Sequence, residues 1–278
     1  MSTLKDNFDN TIRNTFGETI DALERTFNSF GIDYYLIGAF VRDVWTNHIN
    51  TIPELRATLD IDFAVLINRH SDYQELIDYL VKNEGFTSHP EPYRLISNSK
   101  KIVDLLPFGG IEKDNEVLIK GRKPIYLSVF GTKEVTETAQ VIEGNFRVIT
   151  LPGLSILKLV AWSENLGRVK DLEDFFFIAK FYSEIATEDL YKSDNIELVE
   201  HCSEFRFAGA RLLGREMALI AQKSPLLYNK IADILGNQLK GFGHSEVDDM
   251  YEANKPDELS LKLKLVKELL EEYGKTNA

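Results

Sequence analysis

Two aspartates stand one residue apart in Thr58-Leu-Asp-Ile-Asp-Phe63. On an extended chain, residues i and i+2 point to the same face, about 6.7 Å apart at the backbone. Two carboxylates placed that way can converge on one hard cation. Magnesium takes oxygen ligands in an octahedron and keeps positions open for substrate phosphates, so Mg²⁺ is the expected cofactor, with Asp60 and Asp62 as its ligands. Without a cation, two like charges on one strand repel and are costly to desolvate. The plainer alternative is that both aspartates line a solvated strand edge. Upstream, Tyr35-Leu-Ile-Gly-Ala-Phe-Val-Arg-Asp-Val-Trp45 reads as a strand, a small-residue turn and a helix. The turn at Gly38 and Ala39 lets backbone approach a phosphate, and the helix N-terminus supplies free N–H groups and a favourable dipole. Arg42, in the first helical turn or so, can clamp a phosphate; its alternative is a surface ion pair.

These residues need a scaffold, and the apolar pattern supplies one. Phe8, Ile12, Phe16, Ile20, Leu23, Phe27 and Phe30 recur at three- and four-residue intervals, an amphipathic helix closed by Gly31. Tyr34 to Ile37 is a short apolar strand, and Phe40 to His48 a second helix. Leu59, Ile61, Phe63, Val65 and Ile67 alternate with Asp60, Asp62, Ala64 and Leu66, which predicts a strand with one strongly apolar face. A helix over Tyr73 to Lys82 follows, then strand-like runs at Tyr93–Ser97, Lys101–Phe108, Ile125–Val129 and Phe146–Ile149. Past residue 150 the period becomes helical: Pro152–Ser163, Lys170–Ser183, Gly209–Gln222 and Glu258–Tyr273. The expected class is α+β, a mixed sheet with flanking helices over residues 1–150, then a helical domain over 151–278.

The pairing of GAFVRD with LDIDF resembles the nucleotidyltransferase superfamily related to DNA polymerase β, including the GGxVRD and DxD segments of CCA-adding enzymes and poly(A) polymerases. The likeness spans residues 34–108 and departs at position 39, where Ala replaces the usual Gly or Ser and offers no hydroxyl to a phosphate. The resemblance implies a nucleotidyltransferase-type sheet and a third acid on a neighbouring strand. Asp104, in Lys101-Ile-Val-Asp-Leu-Leu-Pro-Phe108, fills that place as general base or third metal ligand, its alternative being a polar residue at a strand end. Lys158-Leu-Val-Ala161 and Arg168-Val-Lys-Asp-Leu-Glu-Asp174 resemble the lysine and DxxD pair of AbiEii/AbiGii-type nucleotidyltransferases, the toxins of type IV toxin–antitoxin systems. By that resemblance Lys158 contacts the nucleotide phosphates, neutralising charge, and Asp171 assists catalysis. An anion at a helix start is favoured by the dipole, and Asp174 shares its face. The alternatives are an exposed helical lysine and ordinary helix-start capping.

Bulk properties narrow the classes. The 278 residues carry a net charge of −12 and 44% hydrophobic content, enough for a sizeable core and unlike a protein coated in phosphate-binding cations. One local basic stretch exists: Lys100, Lys101, Lys113, Lys120, Arg122 and Lys123. Glu112, Asp114 and Glu116 balance it if it is merely a solvated face. A lone cysteine, Cys202, excludes an intrachain disulfide, and five dispersed histidines, His244 among them, show no zinc-ligand spacing. No secretory pattern opens the chain and no apolar run reaches membrane length, so a cytoplasmic protein is expected. Phe175-Phe176-Phe177, Trp45 and Trp162 read as core. Arg206, Arg211 and Arg215 form a basic helical face flanked by Glu204 and Glu216.

The expected activity is Mg²⁺-dependent transfer of a nucleotidyl group from a nucleoside triphosphate. By resemblance the acceptor is an RNA such as tRNA, with a protein or a small molecule such as an aminoglycoside as alternatives, and an antitoxin protein is a possible partner. Two rivals belong to other classes. One is a glycosyltransferase that uses the same DxD for a nucleotide sugar. The other is a degenerate, nucleotide-binding regulatory protein, which Ala39 alone supports.

Overall fold

The computed structural model describes residues 4–56, 58–121, 124–239 and 256–275; Arg122, Lys123 and His244 lie outside the described residues. The chain forms two compact units, Met1–Asn50 with Glu54–Leu154, and Thr51–Pro53 with Ser155–Ala278.

The first unit opens with α1 (Leu4–Phe8), a π-helical turn at Asp9–Arg13 and α2 (Asn14–Phe30). Phe8, Ile12, Phe16, Ile20, Leu23 and Phe27 are all buried along these three segments. Steps of four residues over-rotate an ideal helix of about 3.6 residues per turn, and the wider turn at Asp9–Arg13 brings the stripe back into line. Gly31 ends α2 in the left-handed region, φ 63°. Then come β1 (Tyr34–Ile37), α3 (Ala39–Thr46), β2 (Asp60–Leu66) and α4 (His70–Asn83). They are followed by β3 (Thr87–Ser88), β4 (Arg94–Ile96), β5 (Ile102–Phe108), β6 (Glu116–Ile119) and β7 (Ile125–Ser128). α5 (Thr132–Thr136), β8 (Gln140–Glu143) and β9 (Phe146–Val148) complete the series.

Seven of these strands make one mixed sheet in the order β3-β4-β5-β2-β1-β9-β8, while β6 and β7 pair separately as a hairpin. At its centre β2 runs antiparallel to β1 and parallel to β5. The period-two pattern decides which way β2 faces. Ile61, Phe63 and Val65 are fully buried, and Phe63 joins Phe27, Tyr34 and Phe146 in an aromatic cluster with ring centroids 4.7–6.4 Å apart. Asp60 and Asp62 are thereby turned to the opposite face, half-buried. Trp45 packs in this unit, its indole N–H donating to the Ile149 carbonyl at 3.0 Å.

The second unit is helical: α6 (Leu151–Glu164) from Ser155 onward, α7 (Val169–Ile185), α8 (Thr187–Leu190), α9 (Ile196–Glu200), α10 (Phe205–Ala221), α11 (Pro225–Asp233) and α12 (Pro256–Lys275). α10 is its hub. A Cβ on Gly209 would stand 2.3 Å from the Ser183 nitrogen of α7, and one on Gly214 2.2 Å from the Leu269 carbonyl oxygen of α12; only glycine permits both approaches. The basic face of α10 is neutralised within the unit. Arg206 pairs with Glu204, Arg211 with Glu268, and Arg215 with Glu197 and Glu272. Phe175, Phe176 and Phe177 are buried, as their run of aromatic character predicts. Among the described residues no helix is long and apolar enough to cross a membrane.

Candidate metal centre

Register puts the three acids together. Because β2 and β5 are parallel with Asp62 opposite Asp104 and Asp60 opposite Ile102, side chains of like parity rise on one face. Each of Asp60, Asp62 and Asp104 offers a carboxylate oxygen, and these atoms all lie within 4.8 Å of one another. Asp104 is buried, while Asp60 and Asp62 are partly open. A fourth residue, unsuspected from spacing, completes the centre. Arg94 on β4 stands opposite Asp104, and its Nε and Nη2 donate to the two Asp104 oxygens at 2.7 Å each. Nη2 also reaches Asp60 Oδ2 at 3.4 Å. Burial pushes the Asp104 carboxyl up from the ordinary carboxylate range, against the pull of the Arg94 fork. Three carboxylates and one guanidinium sum to two negative charges, the complement of one divalent cation. All-oxygen donors with exposed faces suit a hard ion such as Mg²⁺, so the residues present fit that group.

The glycine turn abuts these acids. Gly38 has φ 75° and ψ −166°, a conformation that costs other residues about 1–3 kcal/mol. A Cβ there would lie 1.9 Å from Asp62 Oδ2. Ala39 is the first residue of α3, whose start has no side-chain cap, so backbone N–H groups are presented beside the Asp62 carboxylate. Replacing Gly38 by alanine is therefore expected to displace Asp62, lower stability by about 1–3 kcal/mol and weaken Mg²⁺ binding; thermal melts with and without Mg²⁺ check both. Arg42, one turn into α3, is turned inward and only 1% exposed. Its Nε and Nη2 donate to Asp43 Oδ1 at 2.8 and 2.6 Å, and Nη2 reaches the Arg56 carbonyl at 3.4 Å. This guanidinium ties α3 to the segment leading into β2.

In the second unit, Lys158 on α6 and the acids that open α7 form their own cluster. Lys158 Nζ lies 2.7 Å from Asp171 Oδ1 and 2.8 Å from Asp174 Oδ2, with Arg168 Nε on the other Asp171 oxygen at 2.5 Å. Asp174 is fully buried and Asp171 nearly so. Burial pulls the lysine down, but Asp174 and Asp171 outweigh it and hold the ammonium above its ordinary value. Lys158 is thus neither an exposed helical lysine nor a loose one.

No family model matches the chain, and no curated protein does. Among solved structures, the solution structure of the antibiotic-resistance factor ANT(2'')-Ia is similar at a TM-score of 0.37 and 13% identity, covering 75% of this chain and 97% of that one. The reading of the site rests on its own geometry: a mixed sheet whose central strands bring three carboxylates and an arginine beside a glycine-led helix start.

Proposed function

We propose that the protein is a magnesium-dependent nucleotidyltransferase. One observation carries this reading: Asp60, Asp62 and Asp104 converge within 4.8 Å beside the Gly38 turn. Asp60 and Asp62 would hold Mg²⁺, which would supply charge neutralisation to the triphosphate. The N–H groups at Gly38 and Ala39 bind a phosphate through backbone alone, so the missing hydroxyl at position 39 removes one donor and leaves the helix start. Asp104, locked by Arg94, orients the acceptor hydroxyl and takes its proton. The acceptor oxygen attacks the α-phosphorus, its P–O bond forms, and the bond to pyrophosphate breaks.

Lys158 and Asp171 take phosphate-binding and catalytic roles by resemblance only; their mutual ion pair supports a positioning role in the helical unit. An RNA acceptor such as tRNA, and an antitoxin partner, likewise rest on the resemblance. The deciding experiment incubates the full chain with Mg²⁺, each labelled triphosphate and separate pools of tRNA, protein and small molecules including aminoglycosides. Label is expected in one pool, with pyrophosphate released. Turnover of nucleotide sugars but not triphosphates replaces this reading with glycosyl transfer, and nucleotide binding with no turnover in any pool leaves a regulatory protein.

A further inference from the structure

The β6–β7 hairpin is the feature that the metal centre does not absorb. Its register, Val117 opposite Leu127, Leu118 opposite Tyr126 and Ile119 opposite Ile125, sorts the side chains onto two faces. Val117 and Ile119 are buried. The other face carries Glu116, Leu118, Tyr126 and Ser128 by strand alternation, and Tyr126 is 68% exposed. Among the described residues it is the most exposed aromatic side chain, ahead of Tyr191 at 59%.

Charge marks the same ribbon. In a chain of net charge −12, the run from Val117 to Lys133 has no acid, and its described cations are Lys120, directly after β6, and Lys133, on α5. Lys120 and Lys133 are exposed. The contrast with arginine is informative, because Arg94, Arg211 and Arg215 are all spent on carboxylates. From the hairpin a groove of about 380 Å³ leads along Ile119, Lys120 and Gly121, past His89 and Gln74, to Arg94. Arg94 is the residue whose fork holds Asp104. A second cavity of about 240 Å³ adjoins it through Tyr73, Gln74, Ile119 and Lys120, and Leu118, the cross-strand neighbour of Tyr126, lines it. Leu118, opposite Tyr126, and Lys120 thus link the hairpin to a groove that Arg94 lines. Glu116 stands on the same face as Tyr126, and Glu91 is paired with Arg94 at 3.3 Å.

We propose that this face and groove bind single-stranded nucleic acid and lead its end to the acid centre, the second clause resting on the transferase reading above. Cations that track a backbone together with an aromatic that meets base faces are the two elements of single-strand recognition. A duplex keeps its base faces stacked inside and offers Tyr126 none. An acidic polypeptide satisfies the lysines but leaves the ring without a planar partner.

The test is anisotropy of a fluorescent single-stranded RNA oligonucleotide with the full chain, without triphosphate, across a salt series. Binding is expected to weaken with salt, by a slope of about −0.7 per phosphate contact. Tyr126→Ala should weaken it about five- to a hundredfold, with Tyr126→Phe retaining most of it; Lys120→Glu should flatten the slope by about one contact. Absence of binding at low salt, variants that bind like the wild type, or tighter binding of polyglutamate than of RNA overturns the proposal. The two readings separate cleanly. Hairpin-dependent RNA binding with no transfer in any pool supports the surface and removes the transferase, whereas RNA labelling untouched by both variants overturns the surface and leaves the enzyme.

Discussion

On the transferase proposed above, replacement of Asp62 by asparagine will lower Mg²⁺-dependent nucleotidyl transfer by about a thousandfold or more, leaving the fold intact. Removing one ligand charge forfeits several kcal/mol of charge stabilisation in the transition state, and each 1.36 kcal/mol is about tenfold in rate. The fold should not suffer, because Asp62 is only half-buried and belongs to a group of three carboxylates facing one arginine. Losing one of three like charges relieves repulsion in the metal-free protein, so its melting temperature should stay level or rise. On the magnesium reading, Mg²⁺ bound to the native state should raise the melting temperature of the wild type by mass action. In Asp62→Asn that rise should largely vanish. Kinetics and thermal unfolding with and without Mg²⁺ check the pair of outcomes. Full transfer in the variant sinks the metal assignment, and a collapse of the apo fold shows that Asp62 holds structure instead.

The path from sequence to this centre was uneven, for physical reasons. Strand β2 was legible because alternation runs unbroken from Leu59 to Ile67, and burial of Ile61, Phe63 and Val65 forces the aspartates to the other face. The Gly38 turn was legible as a type of turn. Its contact with Asp62 was not, since that depends on β1 lying antiparallel to β2 with Ile37 opposite Asp62. Arg94 was missed because its role is set by strand pairing and has no local spacing. A signal did exist: the turn between Ser97 and Lys101 closes a hairpin, and three residues back on one arm faces three residues forward on the other, which is Arg94 against Asp104. The short strands β3, β6 and β8 escaped for a related reason. Two to four residues give too few alternations to separate a strand from a loop, and pairing rather than pattern defines them. Arg42 is read from sequence as a phosphate clamp by its place one turn into a helix beside a glycine; the contact sequence does not show is the engagement of its guanidinium by Asp43 and the Arg56 carbonyl.

Lys158 separates a structural from a substrate-binding role, and the expected result is structural. Replacing it with methionine keeps the length and apolar stem but removes the ammonium from Asp174, which is 0% exposed, and from Asp171 at 7%. Breaking one partner out of a buried ion group costs about 3–5 kcal/mol, because the remaining charge stays desolvated. Arg168 still serves one oxygen of Asp171, so the main liability is Asp174. The double variant Lys158→Met with Asp174→Leu should therefore recover much of the loss, since apolar replacement of both partners is often neutral, and the double-mutant cycle should show strong coupling. The pH dependence has a definite sign. The folded lysine value is raised, so its contribution is fully present below the unfolded lysine value and is lost as pH rises through the folded one. The stability gap between wild type and Lys158→Met should accordingly hold across neutral pH and close only in strong alkali. Denaturant unfolding at several pH values measures all three quantities. If Lys158→Met is instead as stable as the wild type and loses affinity for triphosphate, the ammonium belongs to the substrate and the ion pair is only its resting place.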